Sequence, residues 1–191
     1  MRPAWKKFWL CASALAAVVA ATGTPRAAPK RANELTLARL RPGRDTLATA
    51  KSFYGKRRRS IPPDDANVWT WQDECHKRSL RLEADGHGII QVLTVAEEES
   101  RGDCRGPTGD PSAASSWKTG KGLALGDPRA KVVGLYGPPN SVSPSLRGTH
   151  ELELLFYAFD WAGADVPQVM EVTCDHASGR VVEITLSSPS L

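Results

Sequence analysis

Apolar residues recur along this chain in two rhythms. Leu47, Ala50, Phe53 and Tyr54 fall at helical spacing, and so does the set Ala130, Val132, Val133, Leu135 and Tyr136. Three- and four-residue intervals place such side chains on one helix face, so short helices are predicted over 45–55 and 127–137. Elsewhere apolar and polar residues alternate, which predicts half-buried strands over Val68–Trp71, Ser79–Glu83, Ile89–Val95, Leu152–Phe159, Gln168–Cys174 and Val181–Leu186. Asp85-Gly86-His87-Gly88 and Asp175-His176-Ala177-Ser178-Gly179 stand between strands as turn chemistry.

The two helical segments align without a gap at a spacing of 82 residues, Asp45–Gly55 over Asp127–Gly137, with Asp, Ala, Tyr and Gly identical. Asp45 and Asp127 are N-cap candidates, because a carboxylate accepts from the free N–H groups of a first turn. Pro128 would take the first helical position, and Gly55 and Gly137 the left-handed C′ position that ends a helix. The expected fold class is therefore α+β: two tandem helix-plus-three-stranded antiparallel sheet units, with room for the two to share one continuous concave sheet. The expected boundaries are 34–96 for the first unit, 97–118 for a Gly/Pro/Ser-rich linker loop, and 119–188 for the second unit. Units this short are marginal alone, which favours packing them side by side.

The first residues change the picture from fold to address. Met1–Lys7 is basic and free of carboxylates, and Phe8–Ala21 is apolar or small. That order reads as a signal peptide over 1–21, followed by a disordered tail over 22–33. Fourteen apolar residues span only ~21 Å as a helix, short of the ~30 Å bilayer core. Bulky Trp9 and Leu10 before Cys11 fit a lipobox poorly. The mature chain is expected to be soluble and periplasmic or secreted.

In such an oxidising compartment Cys75 and Cys104, both in polar turn-rich contexts, are the candidates for a disulfide, and Cys174 reads as a small buried residue. The net charge of +4 is unevenly spread. Residues 22–60 hold eleven Lys/Arg against Glu34 and Asp45, a net +9, whereas 61–191 hold eleven against nineteen acids, a net −8. Lys56, Arg57, Arg58 and Arg59 are the densest basic element and a candidate contact for an anionic envelope surface. Export argues against nucleic acid as a partner. The bland alternative is a solvated loop balancing the acidic remainder.

Thr119-Gly-Lys-Gly-Leu-Ala-Leu-Gly-Asp-Pro-Arg-Ala-Lys-Val-Val-Gly-Leu-Tyr-Gly-Pro138 resembles the signature Thr-x-x-Gly-Leu-x-Leu-Gly-Asp…Tyr-Gly-x-Pro of small exported bacterial repeats. These are similar to the beta-lactamase inhibitor protein fold and to outer-membrane assembly lipoproteins of the SmpA/OmlA (BamE-like) type. Leu40–Gly55 looks like a more diverged copy in which Lys56 replaces the proline. The resemblance implies a curved antiparallel sheet backed by helices, whose concave face grips protein partners. Its motif is mostly capping and turn chemistry, so it speaks to fold more than to function.

No catalytic set stands out. There is no Gly-x-Ser-x-Gly elbow and no phosphate loop around Gly120-Lys121-Gly122. His87 and His176 sit in turns, while His76 and His150 are the residues an alternative reading, a metal-dependent envelope hydrolase, would use. A second alternative is a small-molecule or lipid carrier. The leading expectation is an exported, non-enzymatic binding protein that needs no cofactor and no metal and grips a protein or envelope polymer on its sheet. Aromatic residues make effective anchors, and Trp71, Tyr157 and Trp161 are the candidates for the exposed share. The sequence sets no oligomeric state.

Overall fold

A computed structural model describes residues 33–55, 67–98, 117–159 and 168–188. Seven strands form one sheet: β1 (Val68–Asp73), β2 (Arg78–Ala84), β3 (Ile90–Glu97), β4 (Ser141–Arg147), β5 (His150–Phe159), β6 (Gln168–Asp175) and β7 (Val181–Ser187). Their order is β1-β2-β3-β7-β6-β5-β4, and every neighbouring pair is antiparallel. Two eight-residue helices, α1 (Leu47–Tyr54) and α2 (Arg129–Tyr136), complete the regular structure of the described residues.

This corrects the expectation of two helix-plus-three-stranded units. The first half supplies three strands and the second half four. The register Val92↔Ser187 through Ala96↔Glu183 joins β3 to β7 in a single ladder, leaving no boundary between units. The extra strand is β4, which reads in sequence as a Pro/Ser loop. Proline removes a ladder donor and is tolerated on an edge strand, and β4 is an edge, with Pro144 opposite Glu153.

Antiparallel pairing sorts the side chains into cross-strand rows. On one face Trp69, Leu82, Leu93, Leu186, Met170 and Tyr157 stand opposite one another from β1 to β5. The next row on the same face is Trp71, Leu80, Val95, Ile184, Val172 and Leu155. Apart from half-buried Trp69, all of these are buried. Burial of each large aliphatic side chain contributes roughly 1.5–3 kcal/mol, so these two rows are the main stabilising element.

The layer over that face contains more than the helices. Within α1 only Ala50 is buried, and within α2 Val132 and Tyr136. Eight-residue helices are marginal in isolation. The remaining cover comes from Leu37, Ala38 and Leu40 of the segment before α1, and from Trp117 and Leu123 before α2. Trp117 thus belongs to the core although it lies at the end of the predicted linker.

The helix ends also differ in detail from expectation. The α1 cap is Thr46, whose Oγ1 accepts from the Thr49 N–H at 3.3 Å, and Pro128 stands at the α2 cap position with no side-chain cap. Asp45 and Asp127 instead accept from the preceding turns, from Arg41 N–H at 2.7 Å and Ala124 N–H at 2.8 Å. Both C-cap glycines take positive φ, 76° at Gly55 and 77° at Gly137, a region costly for residues with a Cβ.

One carboxylate ties the covering layer together. Glu34 is 2% exposed. Its Oε1 accepts from the N–H groups of Leu35 (2.9 Å), Thr36 (3.1 Å) and Gly120 (3.1 Å), and its Oε2 from Lys121 N–H (3.1 Å) and the Tyr136 hydroxyl (2.7 Å). The Thr119 hydroxyl pairs with Tyr136 at 2.7 Å and accepts from Leu123 N–H at 3.0 Å. A Cβ at Gly120 would stand 2.6 Å from Thr36 Oγ1 and 2.7 Å from Glu34 Oε1. Gly120→Ala is therefore expected to lower unfolding free energy by about 1–3 kcal/mol through overpacking. Tyr136→Phe, which deprives a buried carboxylate of one donor, should lose about 1–3 kcal/mol. Chemical denaturation followed by tryptophan fluorescence measures both.

Candidate interaction face

The second face of the sheet carries the alternate residues of the same strands. Its central row runs across all seven: Thr70, Arg81, Thr94, Thr185, Glu171, Phe156 and Ser141. A parallel row on the same face is Gln72, Ser79, Ala96, Glu183, Thr173, Leu154 and Ser143. Most of these side chains are half-buried, and Ser79 and Thr173 are buried. β-Branched residues suit a pleated, half-covered surface. The Thr94 and Thr185 hydroxyls, on strands from the two halves of the chain, pair at 3.0 Å.

An ion pair reports the shape of this face. Arg147 is on edge strand β4 and Glu183 on β7, three strands away, and the row of Glu183 ends at Ser143. In a flat sheet the two would therefore lie roughly 14 Å apart across the strands and roughly 13 Å apart along them. Arg147 Nη2 nevertheless lies 2.5 Å from Glu183 Oε2. The sheet therefore curls toward this face at that end. Arg81 pairs with Glu83 at 2.9 Å. Both arginines of the face are thus balanced by a carboxylate of the same face, and both pairs are too exposed to stabilise much on their own.

The rim near Arg147 is electrostatically uneven. Desolvation and the neighbouring Asp175 carboxylate push the Glu97 carboxyl above its ordinary range, and Arg147 opposes the shift. Asp175 is held low by hydrogen bonds from the Ser178 hydroxyl and N–H, with His150 and His176 adding to the effect.

The sequence-predicted site residues are not gathered on this face. Trp71 (5% exposed) and Tyr157 (0%) were expected as exposed anchors and instead lie in the core. The cause is strand phase: both sit in the rows beneath the helices. Each has a structural partner, Trp71 Nε1 donating to the Gly55 carbonyl at 3.2 Å and the Tyr157 hydroxyl to the Gly137 carbonyl at 3.1 Å. Tyr54 packs on Trp71 at 5.6 Å, and Tyr136 on Tyr157 at 5.8 Å. Polar aromatics here close helix C-termini.

Trp161, Lys56, Arg57, Arg58, Arg59 and Cys104 lie outside the described residues, as do the predicted signal peptide and all of the predicted tail but Asn33. Cys75 is disulfide-bonded. Cys174 is free and buried, and its thiol is pushed up to about 11 by burial and Glu153, against Arg129.

The histidines have structural surroundings. Largely exposed His76 pairs through Nδ1 with Asp73 Oδ2 at 2.8 Å. His87 donates its N–H to Asp85. Among the described residues no three His, Cys, Asp or Glu side chains gather around one potential ion position, and no helix is long and apolar enough to cross a membrane. What sequence reasoning missed is the row Thr94, Thr185, Glu171 with Arg147 and Glu183. The signal was present as the polar phase of β6, Val169-Glu171-Thr173-Asp175, complementary to the buried phase Met170-Val172-Cys174.

No protein-family model matches the chain, and no curated protein does. Among solved structures the chain is similar to the crystal structure of a DUF4309 family protein, YjgB, from Bacillus subtilis. That likeness has 9% sequence identity and a TM-score of 0.44, and covers 82% of this chain and 88% of that one. At such distance it carries no inference about this chain.

Two rim carboxylates have opposite pH signatures. Burial raises Asp73, but hydrogen bonds from His76 and Arg78 outweigh it and hold the carboxyl below its ordinary 3.8. A lowered native pKa contributes stability that is complete above the unfolded value and disappears as pH falls through the native one. Asp73→Asn should therefore be destabilised at pH 7, with the difference from the parent shrinking as pH falls below the ordinary carboxylate range. Glu97, raised, acts in reverse: its ionised form opposes folding above the native pKa. Glu97→Gln should be more stable than the parent at pH 7, with no gain at pH 3. Denaturation midpoints across pH 2–8 separate the two.

Proposed function

We propose that the mature chain is an exported, non-enzymatic binding protein of a bacterial cell envelope, gripping a protein or envelope polymer on the open face of its sheet. The observation that carries this reading is the asymmetry of the two faces. One is closed by α1, α2 and two loops around a continuous apolar core, and the other presents a curved row across all seven strands, half-buried except at Arg81 and Ser141. A rigid, pre-curved surface binds with little ordering cost. The likeness of Thr119–Pro138 to exported bacterial repeats supports the same reading, and the basic-then-apolar start of the chain supports export.

Site-specific photo-cross-linking in a bacterial host envelope tests it. A benzoylphenylalanine at Val92, Phe156 or Thr185 should yield a discrete adduct, and one at Phe53 or Lys131 on the opposite layer should not. Adducts equally frequent from both layers would remove the open face as the binding surface.

Export also makes a chemical prediction. We assign Cys104 as the partner of Cys75. The oxidised mature protein should then titrate a single thiol after denaturation, belonging to Cys174, and almost none while folded. Two or more thiols in the denatured, unreduced protein would remove the Cys75–Cys104 bridge.

A further inference from the structure

The charges of the open face do not cancel. Arg81 is matched by Glu83, and Arg147 by Glu183. Glu171 has no ion pair among the described residues, and it is the charged member of the central row nearest the middle of the second half. It stands directly opposite Phe156 on one side and Thr185 on the other, and it is half-buried. A carboxylate flanked by an aromatic ring and a threonine methyl has lost part of its hydration without gaining a counter-charge, an arrangement unfavourable in the free protein. A partner cation arriving there recovers that free energy and stacks its alkyl stem against Phe156.

We propose that Glu171 seats a cationic side chain, the lysine or arginine of a protein partner, docked on the open face. The pattern fits a protein segment better than a polyanionic envelope polymer. Within the central row the charge without an ion pair is negative, and an anionic chain laid along the row would place like charge beside it. The Thr185 hydroxyl beside it and the Thr94 hydroxyl next along the row suit the polar backbone and short side chains of an extended peptide. This inference rests on the open-face reading, and the experiment distinguishes failure of one from failure of the other.

The test uses the isotopically labelled mature chain at low ionic strength and three acetylated, amidated pentapeptides: Thr-Val-Lys-Val-Thr and its norleucine and glutamate counterparts. The lysine peptide should shift the backbone amides of Phe156, Glu171 and Thr185, and bind about tenfold more tightly than the norleucine peptide. That advantage should shrink as salt is raised, and the glutamate peptide should bind least. Glu171→Gln should abolish the lysine advantage and leave the weak norleucine binding unchanged. Equal binding of the lysine and norleucine peptides, with shifts on the open face, would overturn the cation seat while leaving the face itself standing. Shifts confined to α1 and α2, or none with any peptide at millimolar concentration, would overturn both.

Discussion

A buried carboxylate is tolerated only where its lone pairs are met by donors, and Glu34 sets that requirement for the whole covering layer. Four backbone N–H groups and one phenol converge on it from two separate stretches of chain and from the end of α2. Those stretches also bury Leu37, Ala38, Leu40, Trp117 and Leu123, whereas the short helices that follow them each bury one or two side chains. The same demand explains why Gly120 has no Cβ, since the space a methyl would occupy is held by Glu34 and Thr36. Burial pushes the Tyr136 hydroxyl upward, and the adjacent carboxylate adds to the shift. The phenol therefore remains a donor throughout the working range. A charge in the interior fixes position here rather than adding stability outright.

With the layer fixed, the sheet becomes one-sided, and its chemistry divides accordingly. Strand alternation sends most large apolar side chains of the central strands beneath the helices and leaves threonine, serine, alanine, valine, a few charges and, on β5, Leu154 and Phe156 on the other side. The strained turn Leu37–Leu40 belongs to the covered side. Ala38 and Arg39 both take positive φ, 53° and 63°, at a cost of roughly 1–2 kcal/mol per residue. Reciprocal Leu37–Leu40 backbone hydrogen bonds of 2.9 Å and the Tyr54 hydroxyl on the Ala38 carbonyl hold it. Arg39 lies over the Phe53 ring at 4.7 Å, a contact that adds about 0.5–1 kcal/mol at an exposed site. Of the non-glycine residues with positive φ among those described, two thus lie in this turn, and the third, Lys77 at 52°, lies between β1 and β2.

Much of this was legible in the chain, for identifiable reasons. Gly55 and Gly137 mark helix ends because few other residues accept positive φ cheaply. Six strands announce themselves by alternation. The seventh, β4, does not, because Ser141-Val142-Ser143-Pro144-Ser145 carries loop composition and its pairing is decided by β5 next to it. Asp45 and Asp127 looked like helix caps, but a carboxylate at that point can also accept from the turn before it, and local geometry chose the turn. The aromatic residues were the hardest to place. Trp71 and Tyr157 have polar tips that invite an exposed reading, yet a helix C-terminus offers buried carbonyls that need donors. An indole or a phenol from the adjacent strand meets that need. Which phase of a strand faces the helices is set by the register of its neighbours, and the aromatic residue alone does not reveal it.

The curvature of the sheet links these local facts to the proposed binding. Arg147 reaches Glu183 only because β4 bends back over the open face, and in doing so it neutralises the one carboxylate of β7 on that face. Without that bend Glu183 and Glu171, on adjacent strands, would form a two-charge negative patch selective for nothing finer than net charge. With it, Glu171 is the one unpaired carboxylate of the central row, and for the proposed partner, position, not charge alone, would be the means of recognition. Specificity is a difference of affinities. A lone half-buried charge discriminates strongly, because a partner lacking the matching cation leaves it desolvated and unpaired.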